Sequence, residues 1–126
     1  MLKQFKTKKR MLLTAALMSG LLGAGAAHAE IDSIHFLIPG GAGGGWDGTA
    51  RGTGEALTNA GLIETASFEN MSGGGGGKAI AHLIEISDQA HGTLMVNSTP
   101  IVIRSLSKVF PQSFRDLTPI AATIGD

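Results

Sequence analysis

The chain has no cysteine. That absence excludes a disulfide framework, a thiol nucleophile and a cysteine-held metal site. Other catalytic signatures are missing too. No G-x-S-x-G surrounds Ser98, so a nucleophile elbow has no support. His35, His82 and His91 share no metal-ligand spacing. His35 alternates within an apolar run and His82 falls in a helical pattern, so both read as structural. The Walker pattern fails around Lys78, because Ser72 stands where its first glycine belongs and Ala79 where its Ser or Thr belongs. No catalytic residue, metal ligand or cofactor is therefore expected. Net charge is also absent, with 10 basic residues against 10 acids. The balance hides an asymmetry. Lys3, Lys6, Lys8, Lys9 and Arg10 lie in the first ten positions, which hold no acid. From Glu30 onward five basic residues face ten acids, a net of −5, which argues against nucleic acid or an anionic membrane surface as partner. The 43% apolar content argues against wholesale disorder.

Residues 1–29 read as a targeting segment. The basic start precedes Met11-Leu12-Leu13-Thr14-Ala15-Ala16-Leu17-Met18, and a run of small residues leads to Ala27-His28-Ala29. Basic head, apolar middle and A-x-A end make a signal peptide cleaved after Ala29 and removed on export. A retained anchor is the rival, but an apolar run of about 16 residues falls short of the ~20 a bilayer span needs. The mature protein is expected in a periplasm, away from cytosolic ATP and NAD pools. Residues 30–126 amount to one small domain or part of a larger one. The final stretch reads like a strand just ending, which suggests the amino-terminal piece of a longer protein.

Strand and helix alternate along the mature chain. Ser33–Ile38 is a short apolar run ended by Pro39-Gly40, fitting a buried strand. A helix is expected over 47–60, with Asp47 as N-cap and Gly61 as the residue just past its end. Ala50, Gly54, Leu57 and Ala60 fall on one face of it. A second strand is expected over 65–69. A second helix follows over 78–86, burying Ile80, Leu83 and Ile84. After a turn at His91-Gly92 come a third strand over 93–97, a short helix over 101–109 and a fourth strand over 118–124. Such alternation with short loops implies an α/β fold with a parallel sheet and right-handed crossovers. Ligands bind such sheets at the carboxyl ends of their strands.

Three loops follow strands. The first is Pro39-Gly40-Gly41-Ala42-Gly43-Gly44-Gly45-Trp46, running into Asp47. The second is Asn70-Met71-Ser72-Gly73-Gly74-Gly75-Gly76-Gly77, running into Lys78. The third is Asn97-Ser98-Thr99-Pro100. Runs of glycine cost folding entropy and need a reason. Slack is one. The other is close approach of backbone to a ligand, with helix-opening N–H groups and the positive dipole end aimed at an anion. Two such loops would bind an anion with few cationic side chains, which suits a negatively charged body. Ser98 and Thr99 read as hydroxyl donors to the ligand, or as caps of the next helix. Trp46, the single tryptophan, reads equally as pocket wall or core. Arg51 is placed to pair with Asp47, four residues earlier. Arg104 is a second candidate cation. Gly43-Gly44-Gly45-Trp46-Asp47-Gly48 also matches G-x-G-x-x-G, with Glu69 about 20 residues on as a ribose-binding acid. A fragment of a dinucleotide-binding, Rossmann-like oxidoreductase is therefore the alternative. A structural or interaction module with slack loops is a third reading.

Taken together these segments resemble a known family. Pro39 to Arg51 is similar to the first ligand loop of the substrate-binding proteins of tripartite tricarboxylate transporters. Glu69 to Gly76 resembles that family's second glycine loop, His91 to Ser98 its third strand, and Phe114 to Ala121 the segment leading toward its second lobe. The second loop often begins Asn-x-Pro-Gly in the family, and Ser72 stands here in place of the proline. Trp46-Asp47 resembles the tricarboxylate-type branch. The resemblance implies a periplasmic-binding-protein-like (type II, two-lobed) fold of which this chain is the amino-terminal part of lobe one, with the second lobe absent. It implies a monomeric, non-enzymatic receptor that captures a citrate-like di- or tricarboxylate and delivers it to integral membrane transporter subunits. The ligand residues it implies are Gly41, Ala42, Gly43, Gly44, Gly45, Trp46, Asp47, Ser72, Gly73, Gly74, Ser98 and Thr99. Ionised Asp47 cannot donate to a carboxylate, so it is expected to orient the loop or to accept from a ligand hydroxyl or water.

Overall fold

The computed structural model describes residues 31–123, so the targeting segment and the processing point after Ala29 lie outside the described residues. Strand β1 (Ser33–Ile38), helix α1 (Gly45–Asn59), β2 (Thr65–Asn70), α2 (Gly77–Glu85), β3 (Thr93–Met95) and α3 (Thr99–Leu106) follow in order. Short 3₁₀ turns at Gly74–Gly76, Ser87–Gln89 and Phe114–Asp116 join them. The sheet is parallel throughout, in the order β2-β1-β3. The mixed α/β architecture agrees with the alternation in the sequence. β1 is central because it is the most apolar segment, with Phe36, Leu37 and Ile38 all but inaccessible.

Strand periodicity sends Ile34, Phe36 and Ile38 to one face. There they meet Ala50 of α1, Ile63 and the half-buried Leu57, Ala66, Phe68, Leu94 and Val96. Phe36 and Phe68 stack with centroids 5.4 Å apart. On the other side Ile80 of α2, Ile101 of α3 and Phe110 form a second cluster with Ile84, Met95 and Leu117. Trp46 packs against both clusters. It closes the core at the carboxyl end of the sheet, so its ring is core packing as well as a wall of the loop region.

Helix α1 ends as its sequence predicts. Gly61 takes a positive φ of 67°, its N–H donates to the Thr58 carbonyl, and the Leu62 N–H donates to the Leu57 carbonyl. That is the paired bonding of a Schellman cap. The start differs from expectation. The N-cap is Gly44, and Asp47 lies in the first turn. The cause is that the Asp47 carboxylate reaches back from the first turn to accept from the Gly43 N–H at 2.9 Å, one residue before the N-cap. The fourth strand also fails over 118–123, where no ladder forms and Ile120 is exposed. Pro119 has no N–H to give to a central ladder.

Two glycines of α1 sit in opposite settings. A Cβ on Gly54 would lie 2.7 Å from Phe68 Cζ and 2.9 Å from Ala66 Cβ, whereas one on Gly48 would meet nothing within 4 Å. Gly48→Ala is expected to stabilise by about 0.5–1 kcal/mol through helix propensity alone. Gly54→Ala is expected to destabilise by about 1–3 kcal/mol, because the helix cannot sit that close to β2. Urea denaturation of both variants reads the two signs directly.

Candidate functional site

The carboxyl ends of the three strands bring the three loops together. The first loop leaves β1, the second leaves β2 and the third leaves β3. A Cβ on Gly41 would stand 3.9 Å from Ser72 Oγ, so loops one and two touch. The Trp46 indole Nε1–H donates to Ser98 Oγ at 2.8 Å, so loops one and three are joined. The residues that the resemblance singles out therefore surround one region at the edge where parallel sheets bind ligands.

Asp47 is the organising group of the first loop. It is buried. Its carboxylate accepts from the Gly43 N–H, from Arg51 Nε at 3.1 Å to both oxygens, and from Asn70 Nδ2 at 3.0 Å. The Arg51 bond above all, then those from Gly43 and Asn70, hold its carboxyl well below the usual carboxylate range. In return Asp47 raises the Arg51 guanidinium above its ordinary value. Arg51 also lies over the Phe68 ring, 4.9 Å from its centroid. It is thus committed to holding Asp47, as its i,i+4 spacing predicts. With three donors around it, Asp47 orients the loop and has no need of a ligand hydroxyl.

Asn70 is the residue that sequence reasoning missed. As the last residue of β2, its Nδ2 donates to the Gly40 carbonyl at 3.1 Å as well as to Asp47. It thereby ties β2 to both ends of the first loop. The available signal was an amide side chain at the end of a strand beside a glycine loop.

Backbone donors are distributed unevenly over the loop. The Gly44 N–H is used by the Gly41 carbonyl and the Gly43 N–H by Asp47. No hydrogen bond from a described residue engages the N–H groups of Gly41, Ala42, Gly45, Trp46 or Asp47. The last three are first-turn donors, which a helix leaves unpaired at its positive end. Gly41 to Gly45 are exposed.

The second loop does not mirror the first. Gly73, Gly74, Gly75 and Gly76 all take positive φ, a conformation that only glycine adopts freely. Gly76 and Gly77 are buried, and a Cβ on them would lie 2.8 Å from Ile101 Cδ1 and 2.5 Å from Phe110 Cβ. The start of α2 is therefore covered by α3 and Phe110 rather than opened to the cleft. Arg104 Nη1 donates to the Gly75 carbonyl at 3.2 Å, so this cation clamps the loop. Ser72, Gly73, Gly74 and Gly75 remain exposed, with Ser72 beside Gly41. In the third loop Ser98 and Thr99 are exposed, and Ser98 is the N-cap position of α3.

Elsewhere, His35 sits between Ser67 Oγ, 2.8 Å from Nδ1, and Glu69, 3.4 Å from Nε2. Among the described residues no three His, Asp or Glu side chains gather to hold a metal. A shallow groove of about 810 Å³ runs along the outer face of α1, past Gly48, Thr49, Gly52 and Leu57 to Thr123. It shares only Gly45 with the glycine loop and carries no titratable side chain. The polar donors converge at the strand ends instead, and the candidate site is placed there. Comparison with family models, curated proteins and solved structures gives no match to this chain.

Proposed function

We propose that this chain supplies the first wall of a carboxylate-binding cleft in an exported, non-enzymatic receptor. The receptor would have the two-lobed type II plan and hand its ligand to integral membrane transporter subunits. The observation that carries this reading is the set of N–H groups at the exposed Gly41, Ala42 and Gly45, with those of Trp46 and Asp47 behind them, that no described residue engages, the loop being tied from below by Asp47. An anion fits such donors without cationic side chains; Arg51 and Arg104 are already occupied, and the exposed Lys78 beside Gly73 adds a cation at the rim of the same opening. Ser72, Ser98 and Thr99 supply hydroxyls around the same opening. The sequence resemblance makes the ligand a citrate-like di- or tricarboxylate, and the signal segment makes the location periplasmic.

The dinucleotide alternative fares worse on two counts. The third glycine of that fingerprint exists to let the helix press against the sheet. Here that residue is Gly48, which faces open space, and Gly54 makes the close approach instead. Asp47 would also set a carboxylate beneath a pyrophosphate. Glu69, the would-be ribose acid, lies against His35.

One experiment separates the two. The 126-residue chain is expressed with its own leader, recovered from the periplasm, and weighed to check for loss of residues 1–29. It is then heated with citrate, isocitrate, tricarballylate, succinate, glutamate or NAD. A bound ligand at a hundredfold excess over its Kd stabilises by about 2.7 kcal/mol. A rise in Tm with one or more carboxylates and none with NAD is expected. A response to NAD alone, or a product that keeps its first 29 residues, contradicts the proposal.

A further inference from the structure

Ser98 stands at the N-cap of α3 yet makes no side-chain capping bond. Serine is favoured at that position because its oxygen accepts from the first turn, a bond worth about 1 kcal/mol. Here the oxygen accepts instead from the indole of Trp46, 52 residues away, at 2.8 Å. The tryptophan ring that makes this bond is fixed by both core clusters and lies over Gly40, where a Cβ would stand 3.1 Å from Cε3. Among the described residues nothing accepts the Ser98 hydroxyl proton. An indole N–H can only donate, so the hydroxyl facing it must present a lone pair there and direct its proton elsewhere.

We propose that Trp46 is a positioning residue acting through Ser98: by occupying one of the hydroxyl's two lone pairs, it turns the O–H of Ser98 toward a carboxylate oxygen of the ligand. The inference rests on the carboxylate-binding reading and adds the division of labour within it. The backbone N–H groups of the first loop bind one side of the anion. Ser98, set by Trp46, supplies a directed O–H from the third loop. A hydroxyl free to rotate would divide its time between capping α3, water and the ligand. One that already accepts from the indole has one of its two lone pairs taken, and its O–H is steered away from Trp46 toward the opening.

The test uses citrate as probe and four variants of the full chain: Trp46→Phe, Ser98→Ala, Ser98→Thr and the double variant Trp46→Phe/Ser98→Ala. A hydrogen bond to a charged group corresponds to roughly a tenfold or greater change in Kd. Ser98→Ala is expected to weaken citrate binding about tenfold. Trp46→Phe keeps an aromatic ring but loses the N–H together with the pyrrole half of the indole, and is expected to weaken it several-fold. The double variant should bind no worse than Ser98→Ala, because the indole acts only through the hydroxyl. Ser98→Thr, which restores a hydroxyl, should recover binding. A ligand-free readout accompanies the titration. Hydrogen exchange of the Trp46 indole N–H, the only indole in the chain, should accelerate in Ser98→Ala and not in Ser98→Thr. If citrate binds the parent chain and Trp46→Phe binds it equally well, or the two losses simply add, the inference is overturned while the receptor reading stands. If the parent chain binds none of the carboxylates, both fall together.

Discussion

Asp47→Ala is expected to weaken carboxylate binding by at least tenfold and to lower the melting temperature at neutral pH. The substitution removes the common acceptor of the Gly43 N–H, Arg51 Nε and Asn70 Nδ2. The loop would then be held only by the Asn70 bond to the Gly40 carbonyl and its own Gly44–Gly41 turn. Fixing one backbone residue costs about 1–2 kcal/mol, and about 1.4 kcal/mol is a factor of ten in affinity. Releasing even one loop residue in the free protein is therefore enough for a tenfold loss, before any direct contact is counted. Asp47→Asn separates charge from shape. The amide keeps the size of the carboxylate but turns an Nδ2 donor toward a neighbour that also donates.

The pH dependence of the same residue has a definite sign. Arg51, Gly43 and Asn70 depress the folded carboxyl well below its ordinary value. A depressed acid contributes stability that is fully present above the unfolded pKa, near 3.9, and is lost as pH falls toward the folded value. The difference in Tm between the parent chain and Asp47→Asn should thus be constant from neutrality to about pH 5 and shrink below about pH 4. Thermal denaturation across that range reads it. A difference that persists undiminished at pH 2, or no difference at pH 7, would mean that the carboxylate charge does not hold the loop.

Local features of the fold were legible in the sequence, and long-range ones were not. β1 was plain because a mostly apolar six-residue run ends in Pro-Gly. The end of α1 was plain because Gly61 can take the left-handed conformation that its cap requires. The Arg51–Asp47 pair was plain because four residues make one helical turn. Each depends on neighbours a few positions apart. Asn70, by contrast, reaches back 23 residues to Asp47 and 30 to Gly40, and the Trp46–Ser98 bond crosses 52. No periodicity encodes such pairs. The start of α1 was misplaced for a related reason: an aspartate serves equally as N-cap or as the first-turn acid that reaches back, and only the loop geometry decides.

The two glycine loops carry the sharpest lesson, since their compositions are nearly alike and their settings differ. In the first, Gly41 to Gly45 are exposed and Cβ atoms on Gly43 and Gly45 would meet open space. In the second, Gly76 and Gly77 are spacers beneath α3 and Phe110. Glycine count reports that a side chain is excluded. It does not report whether a ligand or another helix excludes it.

Gly76→Ala is accordingly expected to be among the most damaging single changes in the chain, costing about 2–5 kcal/mol. Two separate effects combine. Gly76 has a φ of 102°, and a residue with a Cβ held at left-handed φ costs roughly 1–2 kcal/mol. The same Cβ would lie 2.8 Å from Ile101 Cδ1 and 3.0 Å from Cγ1, an overpacking of a closed core worth about 1–3 kcal/mol. Gly74→Ala isolates the first effect, because Gly74 has a φ of 55° and its Cβ would meet nothing within 4 Å. It should therefore cost only about 1–2 kcal/mol. Ile101→Val isolates the second. The change deletes Cδ1, the nearest obstructing atom, and alone should cost about 0.5–1.5 kcal/mol. Combined with Gly76→Ala it should cost less than the two changes summed, because the cavity it opens receives the new methyl. Urea denaturation of the four variants resolves these differences. Strict additivity between Gly76→Ala and Ile101→Val would show that the second loop is not packed against α3. Its glycines would then be as open to a ligand as those of the first.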